Sequence, residues 1–409
     1  MFWEKKLTQW VDDIRNRSAL PLRLELWNGQ QFDFGAGHPD VTIRVPHSSA
    51  INYLLTPSLA SLGEAYVEGK IDIEGHAAEI IRIGSALLAA RLHKPVSKLA
   101  RIARTVRHDK HIDAEAVRYH YDVSNAFYQT WLDENLVYSC AYFEQGDEDL
   151  AAAQLKKIDH ILTKIRLQPG HTLLDIGCGW GALVLRAAQQ FGAKCVGITL
   201  SKNQFDLARE RVEQAGLGNQ VEIRLQDYRD LTGTFDRITS VGMFEHVGLN
   251  HLSGYFTKIC SLLTEDGLVM NHGITSTDPN SGETAYGGGE FIDKYVFPHG
   301  ELPHIGLVLK TMQEGGLEAL DIENLRRHYA RTCSIWLDNF ETRADQIKML
   351  TDDRHYRIWR LYLAGCAYAF THDWISLYQV VCSKAGRDAS TLRWSRRYIY
   401  APPQSPQSR

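Results

Sequence analysis

Three closely spaced glycines follow an apolar run that ends in a carboxylate. The segment Leu173 to Gly181 reads Leu-Leu-Asp-Ile-Gly-Cys-Gly-Trp-Gly, with Asp175 near the end of the apolar run. Glycine adopts positive φ angles and lets a ligand approach the backbone closely. In α/β sheets, ligands bind at the carboxyl ends of the strands. The segment therefore predicts a buried strand that turns tightly into a helix beside a nucleotide-like cofactor.

The glycine spacing alone leaves two kinds of cofactor open. Gly177, Gly179 and Ala182 satisfy the dinucleotide pattern G-x-G-x-x-G/A, and the same loop after a carboxylate equally suits S-adenosylmethionine. A dinucleotide site needs an acidic residue about 20 positions further on for the ribose hydroxyls. The chain has no acid there and offers Thr199 and Gln204 as neutral hydrogen-bonding groups, which favours S-adenosylmethionine.

Strand and helix patterns alternate from about residue 115 onward. Apolar runs predict strands at 172–176, 194–200, 221–226, 236–242, 266–274, 317–325 and 375–384. Helical patterns lie at 182–191, 202–215 and 251–263, with a long helical pair at 334–371. Such alternation predicts an α/β fold with a mostly parallel sheet covered on both faces.

The ends of the chain differ from this pattern. Alternating segments at 22–27 and 41–45, with a helical stretch near 76–92, predict a small α+β domain over residues 1–105. The α/β region then forms a second domain, 106–400. Residues 401–409 are rich in Pro and Ser, which predicts a disordered tail.

A basic segment connects the two predicted domains. Residues 91–110 carry seven Lys or Arg side chains against one acid, although the whole 409-residue chain has a net charge of −4. Its apolar residues recur every three or four positions, so a helix here would be amphipathic. One interpretation is a solvated helical linker, and the other is a surface that meets anionic lipid head groups.

The composition of the chain argues against several classes of protein and site. The slightly negative net charge gives no overall preference for nucleic acid. The seven cysteines are scattered without Cys-x-x-Cys or Cys/His clusters, which argues against a disulfide framework or a zinc site. We see no secretory signal and no run of about 20 apolar residues. We therefore expect a soluble or peripheral protein of the reducing cytoplasm, with no metal.

Four motifs in order resemble the cyclopropane-fatty-acyl-phospholipid synthase family, which includes the mycolic acid cyclopropane synthases. They are Tyr138–Phe143, Leu173–Gly181, Gly197–Gln204 and Phe244–Gly248. The resemblance covers about 115–385, and Gly63–Gly75 resembles the extra N-terminal domain of the bacterial phospholipid enzymes. It implies a Rossmann-like, seven-stranded methyltransferase sheet with a helical lid or insert, beside the small α+β domain.

The resemblance also implies a reaction. A methyl group passes from S-adenosylmethionine to a cis double bond of a phospholipid acyl chain, and loss of a proton from the resulting carbocation closes a cyclopropane ring. The base would be a bound bicarbonate ion. The residues that correspond to its binding site are Cys140, Glu245, His272, Ile274 and Tyr329.

These residue types suit an anion. Glu245 can anchor the ion when protonated, His272 and Tyr329 can donate hydrogen bonds, and Ile274 and Cys140 can contribute main-chain groups. Taken singly, each has an ordinary structural explanation such as a cap, a salt bridge or core packing. Their joint occurrence at matching positions favours a functional site.

The same resemblance assigns the cofactor and the acyl chain. Cofactor contacts would be Tyr138, Ser139, Asp175, Gly177, Gly179, Thr199, Gln204 and Tyr228, with the first two in a lid segment. On position alone, Tyr228 is equally well an ordinary half-buried aromatic. The insert 275–312 would line an acyl tunnel, through Phe291, Tyr295, Val296, Phe297, Leu302 and Pro303, with Trp336 beyond it and a hinge at Gly287–Gly289.

Cys366 matches a cysteine that has been assigned a catalytic role in the family. Its sequence neighbours are apolar on most sides of the predicted helix, which favours an inert buried thiol. The implied chemistry requires no covalent intermediate. Cys366 therefore stays in the candidate set without a role.

Other functions remain open at this stage. A related lipid C-methyltransferase would stop at a methylene or methyl branch. A nucleic-acid methyltransferase would use 91–110 to bind RNA, and a catalytically inactive scaffold would only bind lipid. The intact glycine loop favours the lipid enzyme, as a homodimer bound peripherally to the inner face of the membrane.

Overall fold

The computed structural model describes residues 2–55, 58–89, 123–281, 288–298 and 300–400. These residues form two compact units. The first contains the described residues up to 89 with 288–298 and 333–374, and the second contains 123–281, 300–332 and 375–400. The basic segment 91–110, the domain boundary at 105, Gly287 and the tail 401–409 lie outside the described residues.

The helices and strands are numbered in chain order. The helices are α1 Phe2–Arg17, α2 Ile51–Leu55, α3 Leu59–Val67, α4 Ala77–Ala89, α5 Asn125–Gln129, α6 Leu150–Lys164, α7 Ala182–Phe191, α8 Lys202–Gln214, α9 Leu252–Ser261, α10 Gly288–Tyr295, α11 Ile305–Glu314, α12 Arg326–Thr342, α13 Ala344–Leu350 and α14 Asp353–Thr371. The strands are β1 Leu22–Leu26, β2 Gln31–Asp33, β3 Val41–Val45, β4 Asp72–Glu74, β5 Thr172–Ile176, β6 Lys194–Thr199, β7 Val221–Leu225, β8 Phe235–Val241, β9 Leu263–Ser276, β10 Leu317–Asn324 and β11 Ile375–Lys384.

A seven-stranded sheet forms the centre of the second unit, in the order β10-β11-β9-β8-β5-β6-β7. The five strands from β9 to β7 run parallel, whereas β11 and β10 pair antiparallel with their neighbours. Side chains of α6, α7 and α8 pack on one face, and those of α9 and α11 pack on the other. The expected Rossmann-like methyltransferase fold is confirmed.

The apolar runs predicted the strands well because parallel strands are buried on both faces. In β5, Leu173, Leu174 and Ile176 are at most 1% exposed. The prediction of two helices over 334–371 was wrong, because three helices, α12, α13 and α14, occupy this stretch.

Short polar side chains explain these missed helix boundaries. Asn324 Oδ1 accepts a hydrogen bond from the Arg326 N–H at 2.9 Å, where β10 ends and α12 begins. Asp352 caps the start of α14 by accepting from the His355 N–H. Such caps set helix ends without changing the apolar periodicity on which the prediction relied.

The first unit combines a four-stranded sheet, β2-β1-β3-β4, with helices from distant parts of the chain. The buried Arg360 of α14 ties these parts together. Its guanidinium donates to Tyr66 Oη at 3.0 Å, to the Ile73 carbonyl at 3.3 Å and to Glu341 Oε1 at 2.7 Å. Because each of these atoms accepts a hydrogen bond, the N–H groups of the buried guanidinium have partners. Within the described residues, every helix is too short or too polar to span a bilayer.

The first prediction concerns Gly273, which follows His272 in β9. A Cβ atom at this position would lie 2.5 Å from Cζ of Phe244 and closer still to Cε1, and Phe244 is 2% exposed, so closely packed atoms would have to shift. Gly273→Ala should therefore lower the free energy of unfolding by about 1–3 kcal/mol in urea titrations.

Gly254→Ala in α9 is the matched control, because a methyl group there would meet nothing within 4 Å. It should leave stability unchanged or raise it by up to about 1 kcal/mol, since alanine favours helix. Equal stabilities for the two variants would contradict the packing argument.

Candidate active site

The glycine loop joins β5 to α7 at the carboxyl edge of the sheet. Gly177 and Gly179 have φ angles of +83° and +55°, a region that other residues rarely adopt. The N–H groups of Gly177 and Cys178 donate to the Ile198 carbonyl at 3.0 and 2.9 Å, which ties the loop to β6. A Cβ atom at Gly179 would meet nothing within 4 Å, so the space in front of this backbone is open.

Asp175 lies directly before this loop and is 3% exposed. Its Oδ1 accepts a hydrogen bond from Thr239 Oγ1 at 2.7 Å. Burial raises the pKa of Asp175 to about 6, although the bond from Thr239 and the charge of Lys157 oppose the shift. A buried carboxylate at this position suits a ligand that carries positive charge or hydroxyl donors.

The loop and the neighbouring strand ends enclose a cavity of about 170 Å³. All eight residues predicted to contact the cofactor line it: Tyr138, Ser139, Asp175, Gly177, Gly179, Thr199, Gln204 and Tyr228. Thr199 Oγ1 donates to Gln204 Oε1 at 2.8 Å, so these two side chains hold each other in place. The structure thus brings residues from four separate segments of the chain to one cavity.

Lys157 of α6 is a cavity residue that the sequence reasoning missed. It is 2% exposed, and its Nζ donates to Ser139 Oγ at 2.7 Å. Burial lowers its pKa to about 8. The neighbouring Gln154 amide donates to the carbonyls of Val137 and Ser139, so α6 fixes the segment expected to act as a lid. The signal was in the sequence, because Lys157 lies four residues from both Ala153 and Ile161 on the apolar face of the helix.

Glu245 and Ile274 are in direct contact. Glu245 is 7% exposed, in a short 3₁₀ turn after β8, and its Oε1 accepts from the Ile274 N–H at 2.7 Å. The other oxygen, Oε2, is buried and has no hydrogen-bond partner in the part of the chain that the structure describes. Burial raises the pKa of Glu245 to about 7, although the Ile274 N–H opposes the shift.

His272 lies two residues before Ile274 on the same face of β9. It is 1% exposed, its Nδ1 is 3.2 Å from Gln379 Nε2, and its Nε2 has no partner among the described residues. Burial lowers the pKa of His272 well below its ordinary value, and the charges of Lys157 and Lys164 lower it further. The ring is therefore neutral.

Cys140 and Tyr329 meet at the main chain of Leu325. The Cys140 Sγ lies 3.9 Å from the Leu325 carbonyl, which also accepts from the Tyr329 N–H at 3.0 Å. The Leu325 N–H donates to Leu377, the residue of β11 opposite Ile274. Burial raises the pKa of the Cys140 thiol far above its ordinary value, so it is not a nucleophile.

The five residues of the predicted anion site lie outside the cavity wall that the described residues form, but two of them are connected to it. His246 and Val247, which follow Glu245, are part of the wall, and so is Gly242, whose N–H donates to the His272 carbonyl at 2.8 Å. The predicted anion site is therefore linked to the cavity through the residues that follow β8.

The remaining predicted residues are described within their own units. Cys366, in the first unit, is partly exposed, and burial of its thiol raises its pKa to about 12, so little thiolate is present near neutral pH. Of the expected tunnel residues, Phe291, Tyr295, Val296, Phe297 and Trp336 belong to the first unit, and Leu302 and Pro303 belong to the second. The tunnel itself stays a prediction.

Comparisons with known proteins fit this geometry. A model of the family described as "Mycolic acid cyclopropane synthetase" matches residues 108–380. The chain belongs to this family. Residues 9–92 match a second family, described only as a domain of unknown function.

Individual relatives extend the match. A Pseudomonas putida protein named "Probable fatty acid methyltransferase" is 48% identical over 388 residues, which cover 93% of this chain and 96% of the relative. The tuberculostearic acid methyltransferase UfaA1 of Mycobacterium tuberculosis is 35% identical over 393 residues, 91% of this chain and 90% of its own. The mycolic acid cyclopropane synthase CmaA1, solved with SAH and CTAB, has a TM-score of 0.63 and 35% identity, covering 66% of this chain and 98% of its own.

The family establishes the general activity. The protein is an S-adenosylmethionine-dependent methyltransferase of a lipid-modifying family. The cavity fits this cofactor, because the left-handed Gly179 leaves open space at the backbone and the buried Asp175 ends β5 beside it. The preference for S-adenosylmethionine over a dinucleotide is confirmed.

The second prediction follows from the buried Glu245. The folded protein binds the Glu245 proton more tightly than the unfolded chain, since folding raises this pKa from 4.5 to about 7. The contribution of Glu245 to the free energy of unfolding therefore falls as pH rises from 4.5 to about 7. Glu245→Gln has no such proton, so it should gain on the order of 3 kcal/mol relative to wild type across this pH range, measured by urea unfolding at several pH values.

Asp236→Asn is a control for which we expect the opposite pH dependence of stability. Burial of Asp236 is outweighed by hydrogen bonds from the Thr172 N–H and hydroxyl, which lower its pKa. This variant should lose stability relative to wild type as pH rises through the lower end of the acid range. A pH-independent difference between Glu245→Gln and wild type would contradict the raised pKa.

Proposed function

We propose that this protein adds a methylene group to the cis double bond of an unsaturated phospholipid acyl chain and closes a cyclopropane ring. The observation that carries the proposal is the pair of unpartnered buried atoms, Glu245 Oε2 and His272 Nε2, next to the cofactor cavity. Unsatisfied buried polar atoms are costly, and a small anion between them would satisfy both.

The reaction has two demands. An alkene is a weak nucleophile, so S-adenosylmethionine, when bound, supplies a strongly electrophilic methyl group. The cavity beside the buried Asp175 would hold the reactants close together and limit their contact with water. Ring closure then requires a base close to the transferred carbon.

Bicarbonate suits the residues beside the cavity and would supply that base. Glu245, protonated below its pKa of about 7, can donate a hydrogen bond through Oε2, and His272 can donate through Nε2. Main-chain groups near Cys140 and the Tyr329 hydroxyl would complete the set. No cation among the described residues is hydrogen-bonded to either unpartnered atom, so the anion would remain basic.

A second candidate is a methyltransferase that leaves a methylene or methyl branch. The relative named tuberculostearic acid methyltransferase, which aligns over 91% of this chain, favours it. Both candidates share methyl transfer and a carbocation, and they differ in which proton is lost. The buried anion site beside the cavity supports ring closure, because it would hold a base close to the transferred carbon.

The third prediction tests the product. The purified protein is incubated with S-adenosylmethionine and vesicles of unsaturated phospholipid, and the fatty acids are analysed by mass spectrometry and proton NMR. We expect a mass gain of one CH₂ per double bond and high-field cyclopropyl protons. A gain without these protons identifies a branch, and no gain contradicts both candidates.

Glu245→Gln is the matched variant for this assay. The amide keeps the size of the side chain and can still accept from the Ile274 N–H, so S-adenosylmethionine binding should stay close to wild type in calorimetry. Turnover should stay within about tenfold of wild type, since the amide Nε2 can donate to the anion as the acid does, whereas Glu245→Leu, which offers no donor, should lower turnover by about 100-fold or more. Wild-type turnover in Glu245→Leu would remove Glu245 from the site.

The fourth prediction concerns the membrane. We propose that the basic segment 91–110 binds anionic lipid head groups, because its seven Lys or Arg residues contrast with the net charge of −4 for the chain. Replacing Arg101, Arg104 and Arg107 by Glu should weaken binding to anionic vesicles by at least about 1 kcal/mol per residue. Sedimentation with vesicles measures this effect.

Two controls define the outcome. Arg209→Glu changes an exposed charge on α8 and should leave vesicle binding unchanged. Added salt should weaken wild-type binding, since exposed charges are screened. Binding that ignores both salt and the triple substitution would leave 91–110 as a solvated linker.

A further inference from the structure

Three side chains stand in one row across the antiparallel part of the large sheet. Gln379 of β11 lies opposite His272 of β9 on one side and opposite Glu323 of β10 on the other. Directly opposed residues in antiparallel strands point to the same face and lie side by side. Gln379 is 0% exposed, so its amide has only protein neighbours.

The contact between Gln379 and His272 has a defined polarity. The Gln379 Nε2 lies 3.2 Å from His272 Nδ1. The amide is oriented with Nε2 toward the ring, and its Oε1 has no hydrogen-bond partner among the described residues. In this orientation the amide nitrogen donates, so Nδ1 carries a lone pair. The ring is neutral because burial and the charges of Lys157 and Lys164, which lower its pKa, outweigh the charge of Glu323, which raises it. Its single proton is therefore on Nε2, the atom that has no partner among the described residues.

We propose that Gln379 is a positioning residue that holds His272 in the tautomer protonated on Nε2, so that the ring donates a hydrogen bond to the anion beside Glu245. This inference rests on the proposed function, which places an anion at that point. A reversed amide would protonate Nδ1 and direct the Nε2 lone pair toward the anion, which it would repel. The amide therefore selects one of the two neutral tautomers of His272, the one that donates a hydrogen bond from Nε2.

Glutamine is suited to this task in a way that a carboxylate is not. A carboxylate at position 379 would accept from an Nδ1–H and fix the opposite tautomer. It would also favour the charged imidazolium, and a cation beside the anion would lower its basicity. The amide of Gln379 carries no charge and does not titrate, so the polarity of His272 holds across the working pH range.

The first test reads the tautomer directly in the wild-type, full-length protein. Histidines are labelled with ¹⁵N, and the His272 signals are assigned by their loss in His272→Asn. We expect a pyridine-type shift at Nδ1 and a pyrrole-type shift at Nε2. The opposite pattern overturns the proposal. This measurement needs no turnover, so it stands even if the product assay fails.

The second test replaces the amide by a carboxylate of the same shape. Gln379→Glu should protonate Nδ1 of His272, either in the neutral Nδ1–H tautomer or in the imidazolium, and lower kcat by about 100-fold, with unchanged KM for S-adenosylmethionine. A variant whose Nδ1 stays unprotonated, or one that keeps wild-type kcat with Nδ1 protonated, overturns the proposal. If the variant does not fold, the wild-type spectrum decides.

Asn271→Asp is the matched control for burying a carboxylate in the sheet. Asn271 is 2% exposed and precedes His272 in β9, so its side chain points to the opposite face. This substitution should leave the tautomer of His272 unchanged. A shift of the His272 proton in Asn271→Asp would show that any nearby charge suffices, which would overturn the specific role of Gln379.

Discussion

The hydrogen bond from the Ile274 N–H to Glu245 Oε1 is the interaction on which the candidate site depends. It joins the short turn after β8 to the end of β9 and buries the carboxyl group at the edge of the sheet. Because one oxygen is fixed in this way, the other is buried, where none of the described residues offers it a hydrogen bond. The raised pKa of Glu245 follows from this burial, and so does the ability of its acid form to donate to an anion.

The protonation states around this bond support one another. Below about pH 7, Glu245 with its raised pKa and His272 with its lowered pKa are both neutral, so each can donate a hydrogen bond without adding charge. The buried Lys157 stays close enough to lower the pKa of His272, yet its hydrogen bond goes to Ser139 beside the cofactor cavity. The site thus separates a cofactor region that contains charged groups from an anion region built of neutral donors.

The sequence predicted the strands of both the parallel and the antiparallel part of the sheet, since β5 and β11 were found at their observed bounds, but it did not predict which buried side chains pair. Buried parallel strands leave continuous apolar runs, so β5 and α7 were found at their observed bounds, and eight cofactor residues near these strand ends share one cavity. The roles of Lys157 and Gln379 were not predicted. A lysine or glutamine in an apolar pattern signals a buried polar group, but its partner is set by strand register, which a single sequence does not give.

The division of the sheet explains how a common cofactor loop can serve an unusual chemistry. Parallel strands place successive loops at one edge of the sheet. This arrangement suits the binding of S-adenosylmethionine but does not by itself determine the substrate. The reversal of chain direction at β11 and β10 instead aligns residues from distant parts of the chain side by side, as with His272, Gln379 and Glu323. Polar side chains in such a row can orient one another where no water reaches them. The antiparallel pairing of β9 with β11 therefore places Gln379 against the ring that would orient the base, and the loops after the parallel strands line the cavity for the methyl donor.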